Sequence, residues 1–117
     1  MTTATGKTYK VFIIEDAEED ILEIYDYIAL TESSKVAENI HNNLRDKCLS
    51  LSDMPSRGHI PPELERISIY EYREIHYKPY RIIYQVREMG VYIHCILDGR
   101  RELQELLEKR LLRYSTF

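Results

Sequence analysis

From Tyr72 to Arg101 the chain reads YREIHYKPYRIIYQVREMGVYIHCILDGRR, and no other stretch restricts the fold as much. Tyr, Ile and Val dominate the runs Tyr80–Val86 and Val91–Leu97, and such residues suit a pleated, half-buried surface. Lys78-Pro79 punctuates the first junction and Glu88-Met89-Gly90 the second, both short enough for hairpin turns. Three consecutive antiparallel strands are expected. Side chains alternate along a strand, which sets Tyr80, Ile82, Tyr84 and Val86 on one face and Arg81, Ile83 and Gln85 on the other. The first set is apolar enough to be a core face. Arg81 then stands on the opposite face, where Arg73 of the neighbouring strand is expected to join it, with Arg100 and Arg101 just past the third strand. Guanidinium groups gathered on one face repel one another and call for phosphate or a partner's carboxylates. A plainer reading pairs each arginine with Glu71, Glu74 or Glu88, since charged strand faces are common on antiparallel sheets.

A chain of 117 residues with a 44% hydrophobic share is expected to form one domain, 1–117, around one hydrophobic core. No apolar run approaches the ~20 residues of a membrane span, and MTTATGK reads as a loose N-terminal arm without an export signal. A cytoplasmic location follows as the expectation. Cys48 and Cys95 read as buried free thiols, with no metal-ligand spacing around them and no cofactor motif. The net charge of −4 argues against binding nucleic acid through bulk electrostatics. Residues 1–66 carry 7 Lys+Arg against 13 Asp+Glu, whereas residues 67–117 carry 9 against 7. The acidic and arginine-bearing halves are therefore distinct.

In chain order, Tyr9–Glu15 reads as a strand. Asp16 then begins a helix, with Glu19 completing a capping-box pattern. Ala17, Ile21, Ile24, Tyr25 and Ile28 make its apolar stripe, and it ends near Thr31. Ser33 or Ser34 caps a second helix, with Val36, Ala37, Ile40, Leu44, Cys48 and Leu51 on one stripe. The short connection implies an antiparallel hairpin lying on the apolar sheet face. Residues 54–66 (MPSRGHIPPELER) hold three prolines and a glycine and read as a loop. Asp98-Gly99 turns the chain into a last helix, Arg101–Arg113, with Leu103, Leu106, Leu107, Leu111 and Tyr114 on its apolar face. The fold class is α+β, in the order β-α-α-β-β-β-α.

That order, with the words YREI, YRIIYQV and ILDGRREL, resembles the RelE/ParE superfamily of toxins from bacterial type II toxin–antitoxin systems, often described as plasmid-stabilisation proteins. The similarity runs from about Tyr9 to Arg113 and is most specific between Tyr72 and Leu107. It implies a small growth-inhibiting toxin silenced by a cognate antitoxin that wraps over it, whose carboxylates would meet Arg73, Arg81, Arg100 or Arg101. A homodimer is left open.

The superfamily divides by target. RelE-like members cleave mRNA on the ribosome without metal, which needs a base, cations for the scissile phosphate and an acid for the leaving oxygen. Arg73, Arg81 and Arg101 match basic positions of that pattern. Ile75 stands where such nucleases place a lysine, and Leu107 where they carry an aromatic hydroxyl. A second nuclease pattern, resembling YoeB, takes its base from a glutamate before the sheet, here Glu63, but its His-Tyr pair falls on Gly99 and Arg100. His76, His94 and Tyr114 are the remaining groups for acid–base work, with packing or exposure as the plainer reading of each. ParE-like members lack the nuclease residues and inhibit DNA gyrase by binding. The absent base, the acidic helix hairpin and the negative charge place this chain nearer the ParE-like branch. A ribosome-dependent nuclease and an inactive antitoxin-binding homologue are the alternatives.

Overall fold

The computed structural model describes residues 8–99 and 101–115, with side chains through Arg110. A four-stranded sheet is built from β1 (Lys10–Ile13), β2 (Arg73–Tyr77), β3 (Tyr80–Arg87) and β4 (Gly90–Asp98), in the spatial order β1-β4-β3-β2. β2, β3 and β4 form the expected antiparallel meander, and β1 joins β4 in parallel. Parallel neighbours need a long crossover, and here the helices α1 (Glu15–Thr31) and α2 (Ser34–Leu49) lie within that connection. The expected N-terminal arm (residues 1–7) and Arg100 lie outside the described residues.

The start of α1 differs from the sequence expectation. Ile14 is the extended residue that precedes it, no side chain caps it, and Asp16 lies inside the first turn, buried. Burial of Ala17 and Ile21 sets the rotation of the helix, and residues one turn apart share a face. That rotation turns Asp20 inward as well. The second helix starts as expected: Ser33 Oγ accepts from the Val36 N–H at 3.1 Å. An ion pair of 2.6 Å between Arg45 and Glu18 joins the two helices.

Two cores flank the sheet. On one face Ala17, Ile21, Leu44, Cys48 and Leu51 pack on Ile75, Ile82, Tyr84 and Ile93, as the alternation along β3 predicts. The other face is not simply a charged surface. Ile83, Cys95 and Leu97 are buried there beneath Leu64 of α3 (Pro62–Glu65) and Leu103 and Leu107 of α4 (Leu103–Ser115). The segment read as a loop thus contains a helical turn, with proline in its first turn, where a missing N–H costs nothing. α4 begins at Leu103, two residues later than expected, which leaves Arg101 outside the helix.

A register shift between Ile83 and Tyr84 inserts His94 as an extra residue in β4. The bulge slips the alternation, so Ile93 and Ile96 face the first core and Cys95 and Leu97 the second. Both cysteines are buried and free, and desolvation pushes each thiol up to about 12. The chain before α3 is anchored by buried Tyr84, whose hydroxyl donates to Pro55 O at 2.7 Å and accepts from the Gly58 N–H at 3.0 Å. A Cβ on Gly58 would lie 2.6 Å from Glu74 O, so only glycine permits this approach. No helix among the described residues is long and apolar enough to cross a membrane.

Candidate functional site

Arg81 sits at the edge of the second face, and its guanidinium is surrounded by carboxylates. Nη1 and Nη2 donate to Glu63 at 2.7 and 2.8 Å, while Nε and Nη2 donate to Glu74 at 2.7 and 3.2 Å. The first turn of α3 supplies Glu63, and β2 supplies Glu74. Hydrogen bonding to Arg81 holds the Glu63 carboxyl below its ordinary range, and the reciprocal bond to Glu63 raises Arg81. Glu63 is therefore a weak base at neutral pH. Arg81 has little left to offer a phosphate.

The register separates Arg73 from Arg81. His76 pairs with Arg81 across the strands, and Arg73 pairs with Tyr84, so Arg73 points to the helix-hairpin side of the sheet. There its Nη1 donates to Gly58 O at 2.7 Å and Ser56 O at 3.3 Å. The expected gathering of Arg73 with Arg81 on one face does not form, and the intramolecular pairing of Arg81 with Glu74 does. Ile75 and Leu107 are core residues. His94 is half-buried against Tyr72, its Nε2 lies 2.7 Å from Gln85 Oε1, and desolvation lowers its pKa. The Tyr114 side chain and Arg100 lie outside what is described, and Gly99 is exposed at the turn after β4.

Around Glu74 the structure assembles a group that the sequence reading did not. Glu74 is 1% exposed, yet His59 Nε2 approaches its Oε2 at 3.2 Å and His76 Nε2 its Oε1 at 3.1 Å. The two rings meet edge to face, 5.5 Å apart. One donor atom from each of the three residues lies within 4.8 Å of the others, the only grouping of this kind among the described residues that could hold a metal ion. It opens into a cleft of about 480 Å³ lined also by Glu63, Arg66, Lys78 and Arg81. Glu74 and His76 were legible as a pair, because positions two apart on a strand share a face. His59 carried no such signal, since it arrives through an isolated bridge to Glu74 from outside the named strands.

A second concavity of about 400 Å³ lies where α1 meets the end of β4, lined by Glu23, Ile24, Tyr27, Tyr80, Leu97 and Arg101 among others. Arg101 is exposed at this place. Behind it, Asp20 and Arg110 form a two-nitrogen ion pair that ties α4 to α1.

A comparison with curated proteins finds no significant sequence match. Among solved structures, the chain is similar to the chromosomal ParDE toxin–antitoxin system from P. aeruginosa, at a TM-score of 0.66 and 15% identity over 78% of this chain and 96% of that one. It is also similar to the toxin–antitoxin complex RelBE2 from Mycobacterium tuberculosis, at a TM-score of 0.59 and 15% identity over 80% of this chain and 93% of that one. At such identity these likenesses establish the α+β fold. The model of the family described as the ParE toxin of the type II toxin–antitoxin system, parDE, matches residues 11–103. With most of its length matched in this way, the chain belongs to the ParE toxin family of type II toxin–antitoxin systems.

Proposed function

We propose that this toxin acts by binding, with DNA gyrase as its target, and that a cognate antitoxin neutralises it in a plasmid-stabilisation setting. The observation that carries this reading is the saturation of Arg81 by Glu63 and Glu74. A nuclease of the RelE or YoeB kind needs that cation open to phosphate and that glutamate ready to take a proton. Here each cancels the other. Ile75 and Leu107 fill cores, and Arg73 is engaged by backbone carbonyls. The exposed acidic residues Glu15, Glu18, Glu19, Glu23 and Asp26 of α1 oppose approach to RNA phosphates.

For the antitoxin, the groove beside Arg101 is the preferred seat. Tyr27 lines this groove and Leu30 follows one turn further along α1; they are 67% and 88% exposed respectively, apolar side chains that a partner segment would cover. Of the three described arginines expected to meet antitoxin carboxylates, Arg73, Arg81 and Arg101, it is Arg101 whose exposure suits that role.

Purified protein added to gyrase and relaxed plasmid should block supercoiling, and the antitoxin should restore it. Programmed ribosomes treated with the same protein should retain intact mRNA. Unimpaired supercoiling together with cut transcripts would reverse the assignment in favour of the nuclease.

A further inference from the structure

We propose that His59, Glu74 and His76 form a binding site for a divalent first-row transition ion, with zinc as the leading occupant. The donor set of two imidazoles and a carboxylate suits such ions and not calcium or magnesium, which favour oxygen donors throughout. Bonds of ~2.0–2.2 Å in a tetrahedral site place neighbouring donors about 3.3 Å apart. The two histidine nitrogens already lie 3.2 and 3.1 Å from the Glu74 oxygens. Closing the site requires the two imidazoles to converge around one carboxylate oxygen. Their side chains are 60% and 47% exposed, so the rotation displaces solvent and leaves the core intact.

Glu74 is suited to be the fixed ligand. It is buried and held in place by Arg81, whose other edge is bound by Glu63. Two carboxylates therefore share one guanidinium, which leaves one negative charge at the donor atoms. Each carboxylate oxygen has two acceptor sites, so a hydrogen bond to Arg81 does not preclude coordination. Arg66 and Lys78 line the cleft as well, and their charge keeps the affinity below that of closed structural zinc sites. Three protein ligands beside an open cleft leave a coordination position for water or for a group from a bound partner.

The ligands come from two segments. His59 belongs to the irregular chain before α3, and Glu74 and His76 belong to β2. The backbones already exchange hydrogen bonds, His59 N to Glu74 O at 3.2 Å and Glu74 N to His59 O at 2.7 Å. A bound ion would staple this segment to the sheet and raise the unfolding temperature by mass action. This site is independent of the gyrase reading.

The test uses the full chain after treatment with chelator. Titration with zinc chloride should show one saturable site, and cobalt(II) should develop the visible absorption of a tetrahedral ion. The melting temperature should rise with zinc. His59→Ala and His76→Ala should each weaken zinc binding by at least about tenfold, the scale on which even supporting partners of a metal site act. Both residues are exposed, so each variant should fold, which its circular dichroism would verify. No saturable zinc binding, or binding that both substitutions leave unchanged, would overturn the site and leave the three residues as a hydrogen-bonded group.

Discussion

Arg110 closes on Asp20 through two nitrogens, Nη2 to Oδ1 at 2.7 Å and Nη1 to Oδ2 at 3.1 Å. The same carboxylate accepts the Ile96 N–H at 2.9 Å, and the same guanidinium donates to His94 O at 3.1 Å. β1 accompanies β4 only as far as Ile93, so the edge of β4 beyond it needs other partners. The ion pair supplies them. Side chains from α1 and α4 thus complete the sheet where a strand stops, because buried peptide groups must be paired.

Removing either member should be costly. Asp20→Ala or Arg110→Ala leaves a mostly buried charge alone and should destabilise the fold by about 3 kcal/mol. Urea midpoints of the two single variants and the double variant form the appropriate cycle. A double variant that loses as much as the sum of the two singles would show the groups to be uncoupled.

The bond between Glu63 and Arg81 predicts a specific dependence on pH. Because Arg81 lowers the Glu63 pKa in the folded state, its contribution is present above the unfolded pKa and disappears as pH falls through the folded value. Glu63→Gln should therefore cost about 1–2 kcal/mol at neutral pH and much less in acid, where the wild-type carboxyl is itself protonated. Urea unfolding at several pH values checks this, and an equal loss across the range would exclude the charge as the cause.

Tyr84→Phe should remove the acceptor of Gly58 N–H and the donor to Pro55 O together. Buried groups left unmatched cost about 1–3 kcal/mol. Hydrogen exchange should then quicken in residues 55–59 while β3 and β4 remain protected. Equal loosening of the sheet would place the role of the hydroxyl elsewhere.

Arg101→Glu tests the seat proposed for the antitoxin. An exposed charge at an interface acts mainly on association rate and on its salt dependence. The variant should retain wild-type melting and bind the cognate antitoxin about tenfold more slowly at low salt. Unchanged association would exclude Arg101 from that contact.

Much of the architecture was present in local pattern. Alternation along Tyr80–Val86 correctly separated the core side of β3, helical spacing found the hairpin, and Ser33 marked its second start. Even the parting of Arg73 from Arg81 was contained in the two-residue turn at Lys78-Pro79, since pairing Tyr77 with Tyr80 sets the parity of every residue behind it. The helix cap was misplaced for a different reason. Asp16 looks like a cap by residue type, but the burial of Ala17 and Ile21 determined how α1 sits on the sheet.

By itself the sequence determined the order of the strands and the long helices, the apolar stripes and the family, because those depend on neighbours a few residues apart, whereas the short α3 escaped it. Only the tertiary structure decided which charges would meet. Glu63, Glu74 and Arg81 come from separate segments, as do His59 and His76, and their encounter depends on the β2–β3 register, on the bridge from His59 to Glu74 and on how α3 brings Glu63 to Arg81. These are long-range packing outcomes. A guanidinium that reads as available in one dimension is neutralised in three, because burial at the sheet edge favours the arrangement in which every charge has its counterpart.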